Sequence, residues 1–379
     1  MVKHLALISR HPVKKFIVIL LLVAFFLPNC CFAANYDYTY GLLDNAGGST
    51  DYELAVSVTS SLYDYYRSKD HNLHLYDFAK FVTPSPLEPI ADSLWSIYRD
   101  EEDFANGVLM IVHQIPYEES GPQKYPVETI VENEGDCDLF SFVAASIMMA
   151  GGLDVVLLFY ETQSHMCVGV NLSHEPEDAR STVYYYNYNR KPYYVAECTG
   201  DDWKNGWRVG ESPEMLMGVS ARIITLEGYE KSSPGQVSSS YGVLAPSSLS
   251  LAFSSRFVIA KSAITISGSI SPALSAKNVT LYVSSIGSPL SVLVTVVTDS
   301  DGRFSYTWRP SSAGTFLIRA SWSGDADYAG AESSMHRLVV VPLEWLMMGV
   351  MVIVSLSVLL VVTLAMRGKP PEEPQVFEE

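Results

Sequence analysis

A cysteine, a histidine and a glutamate, far apart along the chain, carry its strongest chemical signal. Cys137 lies in Glu134-Gly135-Asp136-Cys137-Asp138, ahead of an apolar run, residues 139–150, whose polar members are Ser141 and Ser146. Gly135 supplies a turn, Asp136 an N-cap and Gly151-Gly152 a stop, so the run predicts a helix buried on nearly every face. A cysteine on the first turn of such a helix feels the positive end of its dipole, which favours thiolate. A nucleophilic thiol needs a base and a group that orients the base. His165, near the start of a predicted strand over 164–170, and Glu197, near the end of another over 191–199, fit those roles. A third predicted strand, 153–160, joins the helix to the histidine.

Helix cysteine, strand histidine and next-strand acid, in that order, resemble the transglutaminase-like cysteine-enzyme superfamily, and most closely its prokaryotic surface members. The likeness spans about residues 103–211. Its motifs are Tyr125-Pro126-Val127-Glu128-Thr129, Gly135-Asp136-Cys137, His165-Met166, Glu197-Cys198-Thr199-Gly200 and Gly206-Trp207-Arg208-Val209-Gly210-Glu211. The resemblance implies an α+β fold with a papain-like transglutaminase core, a central helix packed on an antiparallel sheet. It also implies acyl transfer from a protein or peptide amide through a Cys137–His165–Glu197 triad and a thioester, with no cofactor. Peptidase or amidase hydrolysis is the leading expectation. Protein crosslinking, or a catalytically inactive surface binder or adhesin, are the alternatives. In that family a Gln near the end of the preceding helix, here 104–114, helps hold the oxyanion. The match falls on His113 or Gln114, with the Cys137 N–H as second donor. Equally, His113 reads as a helix-end histidine favoured by the dipole. The family more often has Asp as third member; Glu197 is one methylene longer.

Composition narrows the partners. The net charge of −17 over 379 residues argues against nucleic acid, whose phosphates need basic patches. The histidines are scattered and no His or Cys pair has ligand spacing, so no metal site is expected. Of five cysteines, Cys30 and Cys31 fall in a segment expected to be removed, leaving Cys137, Cys167 and Cys198. The odd count leaves at least one free thiol, as a nucleophile requires, and a Cys167–Cys198 disulfide is the alternative for the other two. Strand alternation argues against it: Cys167 shares a face with His165, whereas Cys198 is one residue from Glu197 and faces away.

The remaining segments frame this core. Residues 1–34 read as a signal peptide, with Lys3, Arg10, Lys14 and Lys15 before an apolar stretch and Cys31-Phe32-Ala33-Ala34 after it. Residues 35–231 form the expected transglutaminase-like domain with an N-terminal extension. Within the extension, Leu54 to Tyr66 has helical spacing, a helix is expected over 90–98, and Thr83-Pro84-Ser85-Pro86 separates the two. The tyrosines at 184–188 and 193–194 flank a turn and predict a hairpin with one aromatic face. The Ser-, Pro- and Gly-rich residues 232–249 predict a linker. Residues 250–341 hold short β runs separated by turn signals such as Asp301-Gly302, a pattern resembling the immunoglobulin-like sandwich of surface proteins. Residues 343–366 read as a transmembrane helix: positions 346–366 carry no charge and would rise roughly 31 Å. Arg367 and Lys369 follow, so the tail, 367–379, is expected in the cytoplasm and the catalytic domain outside, on a single-pass cell-membrane protein.

Overall fold

The computed structural model describes residues 35–74, 77–119 and 121–367. The expected signal peptide and all but the first residue of the expected tail lie outside the described residues. The fold is mixed, mostly β, and ends in an apolar helix.

The central element is α5 (Cys137–Ala150), in the order β1 (Asn35–Leu43), β2 (Asp51–Thr59), α1 (Ser60–Arg67), α2 (Pro84–Ile97), α3 (Glu101–Val112), α4 (Pro126–Glu132), α5. Asp136 caps it, accepting from Leu139 N at 3.4 Å. Gly152, at φ +89°, turns the chain away in a conformation that L side chains rarely adopt. Leu139, Phe140, Phe142, Val143 and Ile147 are fully buried. Each contributes about 1.5–3 kcal/mol by leaving water, which explains why this helix needs no polar face.

One face of α5 is covered by a five-stranded antiparallel sheet, order β5-β6-β4-β3-β7, built from β3 (Asp154–Tyr160), β4 (His165–Asn171), β5 (Tyr185–Tyr188), β6 (Lys191–Ala196) and β7 (Arg222–Ile224). Apolar residues alternate across it. Met166, Val168 and Val170 join the core around α5, while Cys167, Val195 and Tyr193 pack on the far side with Tyr160. The predicted hairpin is β5–β6, closed by Asn189 and Arg190, both at positive φ. Among its tyrosines, Tyr193 and Tyr194 are buried, and Tyr186 donates its hydroxyl to Val219 O at 2.6 Å.

Two expectations need correction, one for residues 51–59 and one for residues 232–249. Residues 51–59 form strand β2, paired with β1, and the helix begins only at Ser60. The run Leu54-Ala55-Val56-Ser57-Val58 contains β-branched residues that favour a pleated surface, and pairing with β1 decided the matter. Thr83-Pro84-Ser85-Pro86 does separate two helices, and it forms the start of α2, because prolines in a first turn lack an N–H that would be unpaired anyway. The segment 232–249 is not a free linker. Val237 and Ser238 are buried, and β8 (Ser238–Ser240) pairs with β2 as the third strand of the sheet β1-β2-β8. Its serines are small enough to let backbones pair closely, which composition alone does not reveal.

Beyond it two sheets enclose a second core. One, β14-β11-β9, uses β9 (Ser248–Phe253), β11 (Ile264–Ser271) and β14 (Arg303–Trp308). The other, β10-β17-β15-β12-β13 with β16 on β15, uses β10 (Phe257–Ile259), β12 (Asn278–Ser285), β13 (Ser291–Val297), β15 (Gly314–Gly324), β16 (Ala329–Glu332) and β17 (His336–Val341). Leu251, Ile266 and Phe304 meet Leu281, Ala320 and Leu338 between them. This β region rests on the first half through polar contacts. Glu332 accepts from Ser60 Oγ at 2.5 Å and from the Ser61 N–H, and Arg319 Nη1 lies 3.2 Å from its carboxylate. The final helix, α6 (Leu343–Arg367), is apolar and exposed along its described side chains, and long enough to cross a membrane.

Candidate active site

Sheet register brings the histidine and the acid together. β4 and β6 pair Val168 with Ala196, so one residue further Glu197 sits diagonal to His165, within reach of a long side chain. His165 Nε2 lies 2.9 Å from Glu197 Oε2. A carboxylate only accepts, so Nε2 carries the proton. The other carboxylate oxygen, Oε1, accepts from the Thr199 N–H at 2.9 Å and from Thr199 Oγ1 at 2.6 Å. The Glu197 carbonyl accepts from His113 Nε2 at 3.0 Å. The acid is fully buried, and both of its carboxylate oxygens are engaged.

Cys137 completes the row. Burial by itself would lower the His165 pKa, but hydrogen bonds to Cys137 and Glu197, with the negative charges of both, hold it up at about 10. With Nε2 committed to Glu197, Nδ1 is the ring atom left for the sulfur. The Cys137 Sγ also approaches Asp138 Oδ1 at 3.6 Å and the Ser164 carbonyl at 3.9 Å. Ser164 adopts φ +49°, a left-handed conformation that aims this carbonyl at the thiol. His165 therefore lies against Glu197, with Cys137 near enough to act on its charge and bonded toward the Ser164 carbonyl next to it in sequence. Cys137 is only 7 % exposed and does not itself line the open groove of about 1140 Å³ beside it, whereas Ser164 and His165 do.

Cys167 and Cys198 are buried free thiols on opposite sides of the sheet, and burial pushes both pKa values up. Neither is placed for nucleophilic work. No His, Cys, Asp and Glu grouping suited to a metal occurs among the described residues.

Neither expected oxyanion donor is free. Gln114 Nε2 donates both protons, to Gly41 O and Met110 O at 2.8 Å each, and its Oε1 accepts from Gly41 N at 2.8 Å. Its amide ties the end of α3 to β1. His113 spends its Nε2 proton on the Glu197 carbonyl, and burial lowers its pKa so that Nδ1 stays unprotonated. A Cβ at Gly206 would come within 2.4 Å of that Nδ1, so the ring is packed in place by the 200–211 loop. Both residues border the groove, yet neither has a proton to give.

Tyr117 is a groove residue with a hydroxyl that the sequence did not advertise. Its backbone bridges Gly135, with Glu118 N bonded to Gly135 O at 2.8 Å, which fixes it beside the start of α5. Its ring meets Phe140 edge-on at 6.2 Å and it lines the groove. Burial raises its hydroxyl pKa and the nearby Cys137 and Asp136 raise it further, so it stays protonated. It follows a proline in an irregular loop, where no periodicity marks it. A signal did exist for Tyr38 and Tyr40, which also line the groove: with Tyr36 they recur at every second residue, the mark of one strand face.

No family model and no curated protein matches the chain. Among solved structures, a red sea bream transglutaminase is similar at 10 % identity and a TM-score of 0.20, covering 83 % of this chain and 64 % of that one. The Yersinia pseudotuberculosis adhesin InvE is similar at 12 % identity and a TM-score of 0.20, covering 46 % and 53 %. The D0-D1 domain of intimin follows at 16 % identity and 0.17, covering 24 % and 46 %. Each match spans less than two thirds of the other protein's chain, and at such scores none bears on fold family or chemistry. The site geometry has to carry the functional reading.

Proposed function

We propose that the protein is a transglutaminase-like cysteine enzyme that transfers acyl groups from protein or peptide amides. The observation that supports this most directly is the contact of His165 Nε2 with the buried Glu197 carboxylate at 2.9 Å, with Cys137, at the head of a buried helix, close enough to raise the pKa of the ring. Cys137 attacks the amide carbonyl as thiolate, and the His165 imidazolium delivers its Nδ1 proton to the departing amine, leaving a thioester. Glu197 holds the ring and compensates its charge. The oxyanion is received by the Cys137 N–H, which has no intrahelical partner on the first turn, and by the Tyr117 hydroxyl. In the second half, His165 takes a proton from water, giving hydrolysis, or from an amine, giving a new amide. On this reading the two-sheet β region is an immunoglobulin-like spacer, α6 is the membrane anchor and the catalytic head lies outside the cell.

Incubating the full chain with a peptide library and a primary amine, read by mass spectrometry, tests the reading. Cleaved peptides mean hydrolysis and amine adducts mean crosslinking; neither product from a folded protein refutes it. One observation favours a second reading, that of a surface peptide binder: Cys137 does not line the groove. Iodoacetamide separates the two. An enzyme alkylates at Cys137 far faster than at Cys167 or Cys198 and loses that excess in His165→Ala, while a binder labels slowly throughout.

A further inference from the structure

We propose that the groove beside His165 selects cationic peptide segments, those bearing lysine or arginine. As a statement of substrate class this rests on the acyl-transfer reading; as a statement about binding it stands alone. The groove, of about 1140 Å³, is walled by Tyr38, Tyr40, Tyr117 and Trp203, with Glu119 and Asp201 among its lining and no lysine or arginine there. Both carboxylates are exposed, and neither forms an ion pair among the described residues. Nearby cations are already neutralised: Lys204 pairs with Asp51 at 3.0 Å and Arg180 with Glu211 at 2.7 Å. Aromatic faces and unpaired carboxylates together suit an ammonium or guanidinium, by cation–π attraction and charge. Lys204 already makes this contact within the chain, its ammonium 5.0 Å from the Trp203 ring centre.

The net charge of −17 adds long-range repulsion against acidic peptides and attraction for basic ones.

The test uses the full chain in detergent micelles as Cys137→Ser, so that nothing turns over. Fluorescence anisotropy is read with three end-capped peptides of equal length bearing lysines, glutamates or neither. The lysine peptide is expected to bind about tenfold tighter than the glutamate peptide at low salt, and the gap to shrink at high salt. Glu119→Gln with Asp201→Asn is expected to remove most of that gap. Equal affinities, no binding, or a preference that survives the double variant overturns the proposal. Turnover failing in the unsubstituted chain with the preference intact would sink the enzyme reading and leave this one standing.

Discussion

Replacing Glu197 by glutamine changes one atom and tests the whole catalytic row. The amide oxygen of the new side chain can still accept from Thr199, whose N–H and Oγ1 now hold the Glu197 carboxylate at 2.9 and 2.6 Å. Its amide nitrogen then faces His165 Nε2, where two donors cannot share one bond. The ring must move its proton to Nδ1, the atom that serves the sulfur. What is lost is one hydrogen bond to a charged group, worth about 1.5–3 kcal/mol, or roughly a 10- to 100-fold fall in the preference for imidazolium. Burial, which already acts to lower the pKa, then meets only the charge of Cys137. The assay is iodoacetamide alkylation of Cys137 against pH, with circular dichroism as the folding control. In the parent chain the reactive ion pair persists until His165 deprotonates near pH 10. In Glu197→Gln the fast phase is expected to drop about 10- to 100-fold, with its alkaline limit at lower pH. An unchanged rate and an unchanged limit in a folded variant would refute the reasoning.

Other perturbations separate roles that the site keeps distinct. Tyr117→Phe removes a hydroxyl needed only once an oxyanion forms, so turnover should fall about 100-fold or more while iodoacetamide labelling stays fast. Gln114→Ala should cost about 1–3 kcal/mol in denaturant melts by unpairing Gly41 and Met110, and leave turnover per folded molecule nearly intact. Arg319→Met strands the Glu332 carboxylate, whose side chain is fully shielded, and should cost about 3–5 kcal/mol, read by chemical denaturation. His165 is also linked to stability. Its folded pKa, about 10, lies above its ordinary 6.5, so the pair's contribution is whole below 6.5 and lost as pH rises through about 10. His165→Ala should remove that alkaline loss from the pH dependence of melting.

The elements that position the triad were legible because each leaves a local trace. The apolar run after Cys137 has an N-cap and a glycine stop, and short strand-like runs begin at His165 and end just before Glu197. Partner choice was not legible. Gln114 and His113 read as oxyanion donors because their place on the helix fits, but only the fold shows that Gly41 and the Glu197 carbonyl have claimed their protons. Tyr117 and Thr199 sit in irregular backbone with no period to betray them. For Leu54 to Val58 and for Ser238 to Ser240, neighbouring strands decided what composition had assigned to helix and linker.

The edge strand Ser238–Ser240 has a practical bearing on where the chain tolerates cutting. A head domain trimmed after residue 231 would leave the backbone of β2 bare along one side, ready to pair with another molecule. Trimming just past 240 would keep that strand yet expose Ser60 and Ser61 without Glu332 to meet them. Preparations that leave out the apolar helix should therefore carry everything through Val341 and end only there.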